Sequence, residues 1–422
     1  MRTKLRQIYY DLRHQPVIAW VTFLATAISV FLIMVVVMMQ VVKTVPFAPE
    51  SCRDRLLVGV GLHIRMLNDY GDSSSGMSYF SAKTLYEGLD GVERMGCFTY
   101  WPDKAEVSAP KGEAVNMTLR NVSAGIFDVF DYTLVEGRYF TQEEADAMMP
   151  VAVISESTAG KIFDSRPYVG KDIVIDNNPY TVVGVIRDVS TLATSAYSDV
   201  FTPTGLNDPR HWTEYLGELA VAMVVADGVD FQYVRDQVKG RYAILDAQLR
   251  AEGQETVYHE APYDQETIAS GVGGSNVTPD TGPERRMRII IYVILMIVPA
   301  INLSSMLHSR LRRRVREIGV RRAFGCTRRR IITDIITENF IVTLAGGIVG
   351  VILGIIFASF YSGLYETVDN IGHGDTPSFT ALLSWSTIVT SLVVCFILNI
   401  LSASVPAWQA SRLNPVEALN NK

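Results

Sequence analysis

The stretch Val17–Val42, VIAWVTFLATAISVFLIMVVVMMQVV, holds 26 residues without one charged side chain. A hydrocarbon core of about 30 Å is crossed by about 20 apolar residues in a helix, so this run reads as a membrane span. Three more follow it: Ile289–Leu307, interrupted by Pro299 and Asn302, then Phe340–Tyr361 and Leu382–Val405. Charged residues are almost absent from these runs and dense between them. The apolar content of 48% and the net charge of −6 are therefore averages over two unlike parts of the chain. The first run is longer than the about 7–15 residues of a signal-peptide core and closes on no small-x-small site, so it reads as an uncleaved anchor.

Orientation follows from the arginines. Arg2, Lys4, Arg6 and Arg13 precede the first run and place the N-terminus in the cytoplasm. The segment 309–333 carries ten arginines (Arg310, Arg312, Arg313, Arg314, Arg316, Arg321, Arg322, Arg328, Arg329 and Arg330), as a second cytoplasmic segment should. The connector 362–381 holds Glu366, Asp369 and Asp375 with no Lys or Arg and belongs outside. Arg285, Arg286 and Arg288, just outside the second span, oppose this assignment and are outnumbered. The expected order is a cytoplasmic segment 1–16, span 17–42, an extracytoplasmic (periplasmic) domain 43–288, span 289–307, a cytoplasmic segment 308–339, span 340–361, an outer loop 362–381, span 382–405 and a cytoplasmic tail 406–422. The fold class is an α-helical membrane protein with four transmembrane helices, arranged 1+3, and a large α+β domain between helices 1 and 2.

Within that domain, Leu56–Met66, Ala114–Val122 and Val151–Ile154 read as strands. Lys171–Ile186 reads as a hairpin turning at Asp176–Pro179. Helical patterns occupy Ser81–Leu89, Ser155–Phe163 and Phe231–Ala251, and the Gly/Ser/Pro-rich stretch Ser270–Pro283 reads as a flexible loop. Mixed elements of these lengths point to α+β architecture rather than an all-β sandwich.

Catalytic chemistry is not visible. Ser155-Glu156-Ser157 lacks the glycines of a nucleophile elbow, and His63, His211 and His259 are far apart in sequence. His211 has Glu214 at helical spacing, but two ligands do not make a metal site, and each histidine reads as a surface or satisfied one. Gly160-Lys161 is followed by Ile162 and has no glycine at 155, so it is not a phosphate loop, and no other P-loop occurs in the sequence. The four cysteines, Cys52, Cys97, Cys326 and Cys395, show no CxxC pair. Cys52 and Cys97 fall on the oxidising side and could form a disulfide; two buried thiols are the alternative.

Residues 312–331 read RRRVREIGVRRAFGCTRRRI. Arg316–Arg321 and Ala323-Phe324-Gly325 resemble the REIGIR-AxGA segment of the MacB/FtsX-like ABC permease family, with Cys326 where a small residue is usual. Pro406–Leu419 resembles the family's C-terminal PAxxAxxLxPxEAL signature. Phe127–Phe130 with Glu136–Phe140 resembles its FDVLG…EGRFF element, and Val169–Lys171 with Tyr180–Ile186 its VGKxI…TVVGV element. Four motifs in order, with the 1+3 span layout, cover nearly the whole chain.

The resemblance implies a non-catalytic permease subunit of the inner (plasma) membrane that binds no cofactor, the ATP and magnesium residing on a separate dimeric ATPase. It implies that Arg316, Glu317, Gly319, Arg321, Arg322, Ala323 and Gly325 form the surface on which the ATPase docks. The residues support an interfacial helix there: Leu311, Val315 and Ile318 make an apolar stripe on a cationic segment, and Glu317 can pair with Arg321. Bare enforcement of topology is the alternative reading. Gly346, Gly350 and Gly354 share one helix face, as close helix packing requires. Other implied partners are a second permease copy or paralogue, membrane lipid, and a periplasmic adaptor with a TolC-like outer-membrane channel; no nucleic acid is among them. No acidic, basic or histidine residue lies inside a span, which disfavours a polar conduit. The family's mode of action, mechanotransmission to the periplasm, serves export or lipoprotein handling, with control of cell-wall hydrolases as a further branch. A membrane sensor is the reading from another class, and it lacks a cytoplasmic signalling module.

Overall fold

The computed structural model describes residues 46–67, 71–191, 193–204, 214–271, 273–313, 318–320 and 323–368, with isolated positions between 20 and 44 and between 388 and 408. It divides into two compact units, 42–283 with 362–378, and 1–41 with 284–361 and 379–422. 

The first unit is built on strands β1 (Leu56–Gly59), β2 (Leu62–Met66), β3 (Asp72–Met77), β4 (Val92–Thr99), β5 (Asp103–Ser108), β6 (Val115–Val122), β7 (Leu134–Gly137), β8 (Val151–Ser155), β9 (Asp172–Ile175), β10 (Asn178–Ile186), β11 (Val200–Pro203), β12 (Leu216–Gly217), β13 (Leu219–Val225), β14 (Gln254–Thr256) and β15 (Tyr263–Asp264). Helices α1 (Tyr79–Tyr86), α2 (Ile126–Val129), α3 (Gln142–Asp146), α4 (Glu156–Ile162), α5 (Phe231–Ala251) and α6 (Gln265–Ala269) are set among them. The sheet runs β11-β8-β10-β9-β5-β6-β4-β13-β3-β2-β14 among the described residues.

Strand β13 lies inside it, antiparallel to β1 and β4. All seven residues of β13, LAVAMVV, are buried. The reason is two-sided cover. Val221 and Met223 join Leu57 and Cys97 under α1 and α5, while Ala220, Ala222 and Val224 join Leu56, Val58 and Phe98 on the α2 side. A strand covered on both faces loses the polar alternation that marks a half-exposed one. Helix α5 meets the first face with Val234, Val238, Tyr242, Leu245 and Leu249, and Asp230 caps it by accepting from the Gln232 amide at 3.1 Å. A third core, around Ile154, Ile173, Val182 and Val185, lies under α4.

Several sequence expectations are refined. Leu56–Met66 is two strands, interrupted at Val60-Gly61. The β9–β10 hairpin turns on two residues, Asp176 and Asn177, both at positive φ (46° and 69°), the geometry of a two-residue turn that follows strand twist. Cys52 and Cys97 are both free thiols, which corrects the disulfide reading, and of the two only Cys97 is buried, Cys52 being half-buried. Their physical separation is clear: Cys97 belongs to the core under α1 and α5, whereas Cys52 packs against the other core and takes a hydrogen bond from Arg94 Nη2 at 3.2 Å.

The second unit holds most of two continuous helices, α7 (Gly282–Arg313) and α8 (Arg328–Val368). Both begin before the apolar runs 289–307 and 340–361 that they contain. Among the described residues no helix is long and apolar enough to cross a membrane. The described positions between 20 and 36 are helical. Most of 382–405 and of the 406–419 signature, with His211 and Cys395, lies outside the described residues.

Candidate functional site

Of the residues the family resemblance assigns to ATPase docking, Arg316, Glu317, Arg321 and Arg322 lie outside the described residues. Gly319, Ala323 and Gly325 are described and belong to a helical hairpin. Residues 318–320 are helical, the chain turns at Phe324-Gly325, and α8 begins at Arg328. Gly325 has φ +88°, a left-handed conformation that favours glycine. The Phe324 amide bonds the Val320 carbonyl at 3.1 Å, and Thr327 opens α8, its carbonyl accepting from the Ile331 amide at 3.2 Å. Ile318 packs on Ile331 and Ile335 and closes the hairpin over a small apolar core. Gly319 is buried beside it, while Ala323 and Arg328–Arg330 are exposed.

The residue that sequence reasoning passed over is Phe324, which is 89% exposed at the tip of the turn. Val320 is exposed one helical turn earlier. Two apolar side chains are thus presented on a turn flanked by arginines, a surface that excludes water only if something else covers it. The available signal was an aromatic residue in a cationic run, directly ahead of a glycine.

The glycine face of α8 has definite neighbours. A Cβ on Gly350 would fall 2.7 Å from the Ala27 carbonyl oxygen and from Val30 Cβ, and one on Gly354 would fall 2.5 Å from Met34 Sδ. Gly346 is buried on the same face. The Phe31 and Phe357 rings meet edge to face at 5.6 Å. Small residues here let two helices approach to backbone contact.

The extracytoplasmic motif elements, far apart in sequence, interlock. Glu136 Oε1 accepts from the Tyr168 and Val169 amides at 2.9 and 3.1 Å. The Arg138 amide donates to the Val183 carbonyl at 3.0 Å, and Phe127 stacks on Tyr139 at 4.5 Å. Arg138 forks onto both oxygens of Glu144 at 2.6 and 2.7 Å. Glu144 in turn completes a capping box with Thr141 at the start of α3. The Arg138 guanidinium, with the Thr141 amide, holds the Glu144 carboxyl down at about 2. A depressed carboxyl stabilises the fold above its ordinary range and loses that contribution as pH falls toward 2. Arg138→Ala should therefore cost about 1 kcal/mol at pH 7, the range of a solvent-facing pair. In urea titrations of parent and variant the difference should shrink steadily below pH 4.

A cleft of about 300 Å³ opens beside α1, lined by Tyr79, Lys83, Glu87, Arg94, Cys97 and Gln142. Gln142 Nε2 donates to the Tyr79 hydroxyl at 2.9 Å. Burial pushes the Cys97 thiol up to about 12, so the group that faces this cleft is no nucleophile at neutral pH. Among the described residues no group of three metal-ligating side chains occurs.

Comparison with known proteins gives the context for these arrangements. The family model of the MacB-like periplasmic core domain matches residues 19–241, and that of the FtsX-like permease C-terminal matches 289–415. The uncharacterized ABC transporter permease YknZ of Bacillus subtilis (strain 168) is 25% identical over 79% of this chain and 76% of its own length. The macrolide export ATP-binding/permease protein MacB of Haemophilus ducreyi (strain 35000HP / ATCC 700724) is 26% identical over 74% of this chain but 42% of its own length, so the chain spans under half of that relative. The crystal structure of the periplasmic region of MacB from Actinobacillus actinomycetemcomitans aligns over 52% of this chain and 92% of that one, at 17% identity and a TM-score of 0.36. The chain belongs to the family of ABC transporter permeases that join a MacB-like α+β periplasmic core domain to an FtsX-like permease C-terminal.

Proposed function

We propose that this chain couples ATP hydrolysis on a partner ATPase to work done by its extracytoplasmic domain, by mechanotransmission through four spans. The observation that carries the reading is the hairpin at 318–330: an apolar tip, Val320 and Phe324, in an arginine-rich stretch of sequence just ahead of α8, whose first residues Arg328–Arg330 are exposed. At 41 residues and about 1.5 Å per residue, α8 reaches about 60 Å, longer than a bilayer core. A displacement imposed at Phe324 therefore passes through three residues, 325–327, before it enters the continuous helix α8. The family relationship supports an ATPase as the docking partner. Export or lipoprotein handling is the activity we favour, with the large domain in the periplasm and the chain in the inner membrane.

The test is docking. Phe324→Asp and Gly319→Leu should leave membrane insertion intact, since the arginines that set topology remain. Each should lower recovery of the ATPase on the purified permease roughly tenfold, the loss expected for one interface anchor. Full ATPase recovery and full transport by both variants would reduce the hairpin to a topology signal.

A further inference from the structure

His63 and His259, 196 residues apart, meet in the extracytoplasmic unit. His63 Nδ1 lies 2.7 Å from His259 Nε2. The ring planes are 9° apart, yet the centroids are 5.0 Å apart. Stacked rings in such close atomic contact would have much closer centroids, so the imidazoles lie edge to edge and nearly coplanar. Their lone pairs point at each other rather than toward a common third point. That is the geometry of a shared proton, not of a chelated metal.

The chain extends on both sides. His63 Nε2 bonds the Asp72 carboxylate, and His259 Nδ1 lies 3.1 Å from the Thr278 hydroxyl. Because an ionised carboxylate only accepts, His63 donates from Nε2 and keeps Nδ1 as an acceptor. His259 then donates from Nε2 and accepts the Thr278 hydroxyl at Nδ1. One added proton is accommodated at His259 Nδ1, where Thr278 can turn from donor to acceptor. A second puts N–H on both atoms of the 2.7 Å contact, and the contact cannot persist.

We propose that the Asp72–His63–His259–Thr278 chain is an acid-released clasp, its 2.7 Å contact tying His259 to β2 and β3 at neutral pH and loosening the 259–278 segment in acid, when that contact can no longer share a single proton. The placement gives this consequence. Thr278 stands four residues before Gly282, where α7 begins, whereas His63 and Asp72 stand on paired strands of the sheet. The rest of the segment is held by contacts that involve no imidazole: β15 pairs with β1, Arg235 of α5 bonds Asp264 at 3.2 Å and the Pro262 carbonyl at 3.0 Å, and the Tyr263 hydroxyl meets the His259 and Gly274 carbonyls at 2.9 and 3.0 Å.

The charged neighbours are few. Arg65 on β2 pairs with Glu255 of β14 at 3.4 Å, and Glu255 also takes Arg250 of α5 at 2.7 Å. Asp72 on β3 faces His63 directly, and Glu260 adjoins His259 in the chain. Burial, His63 and Arg65 lower the His259 pKa, with Asp72 opposing them. The folded protein thus binds that proton less well than the unfolded chain. That first proton weakens the fold as pH falls through the ordinary imidazole range, and the contact itself parts when N–H stands on both of its atoms.

The test does not depend on the permease reading. Hydrogen exchange is measured on the full chain in lipid nanodiscs at pH 8 and pH 5, with exchange times corrected for intrinsic pH dependence. Peptides covering 259–278 should exchange about fivefold faster at pH 5, the scale of one lost hydrogen bond. His259→Gln should abolish the response, because a neutral amide can donate to or accept from His63 and does not titrate. A pH-independent parent, an unchanged response in His259→Gln, or an equal rise in β8 and β10 peptides would each overturn the clasp.

Discussion

Glu50→Ala is expected to lower the stability of the extracytoplasmic domain by about 3–5 kcal/mol, the cost of stripping one partner from a buried ion pair. Glu50 and Arg53 are both almost fully buried, with Arg53 Nε donating to Glu50 Oε2 at 2.6 Å. The other oxygen, Oε1, accepts from the Ser195 and Ala196 amides at 2.9 and 3.0 Å. Arg53 also covers the Phe47 ring at 4.2 Å. One carboxylate therefore ties the segment that follows the first apolar run to a loop some 145 residues later. Removing it takes a buried carboxylate from Arg53 and the acceptor from two amide donors at once. Pulse proteolysis of the full chain in a urea series measures the effect. Glu50→Gln, which retains an acceptor for the amides, should lose less, and a loss below about 1 kcal/mol for Glu50→Ala would contradict the anchoring role.

Gly137→Val is the second large effect, expected at about 3 kcal/mol or more. Gly137 has φ +78°, and a Cβ there would lie 2.6 Å from Val169 Cγ2 while pressing on the Val183 carbonyl. Backbone strain and overpacking each contribute roughly 1–3 kcal/mol. The same proteolysis series reads it, with Gly170→Val as the comparison. Gly170 shares the positive φ but has open space around it, so only the strain should be felt. Equal losses in the two variants would show that packing at β7–β10 contributes nothing.

Legibility tracked periodicity. Helix α5 runs from Phe231 to Ala251 as expected because its capping residue and apolar stripe are both local. Strand β13 was not foreseen: two-sided burial erased its alternation. Strands β3 (DSSSGM) and β5 (DKAEVS) are mostly polar and were equally silent, being held by their neighbours' ladders rather than by their own apolar residues. The motif elements were readable as resemblances, but the contact of Glu136 with the 168–169 backbone was not, since no spacing rule joins strands that meet only in space. His63 and His259 failed for the same reason. Each alone reads as an isolated histidine, and only the pairing of β14 with β2 brings them together.

The pairing of β1 with β13 sets a timetable for biosynthesis. Leu56–Gly59 is matched to Val221–Val224, so the central ladder joins segments about 165 residues apart. At a synthesis rate of about 5–20 residues per second, β1 waits roughly 8–30 s for its partner. During that interval a short apolar strand stands with both edges unpaired, next to a hydrophobic run already made. An unpaired strand of this kind is open to mispairing with other chains. Production of this protein should therefore depend on factors that shield β1 while the next 160 or so residues are made, and slowing synthesis between the two strands should lower yield rather than raise it.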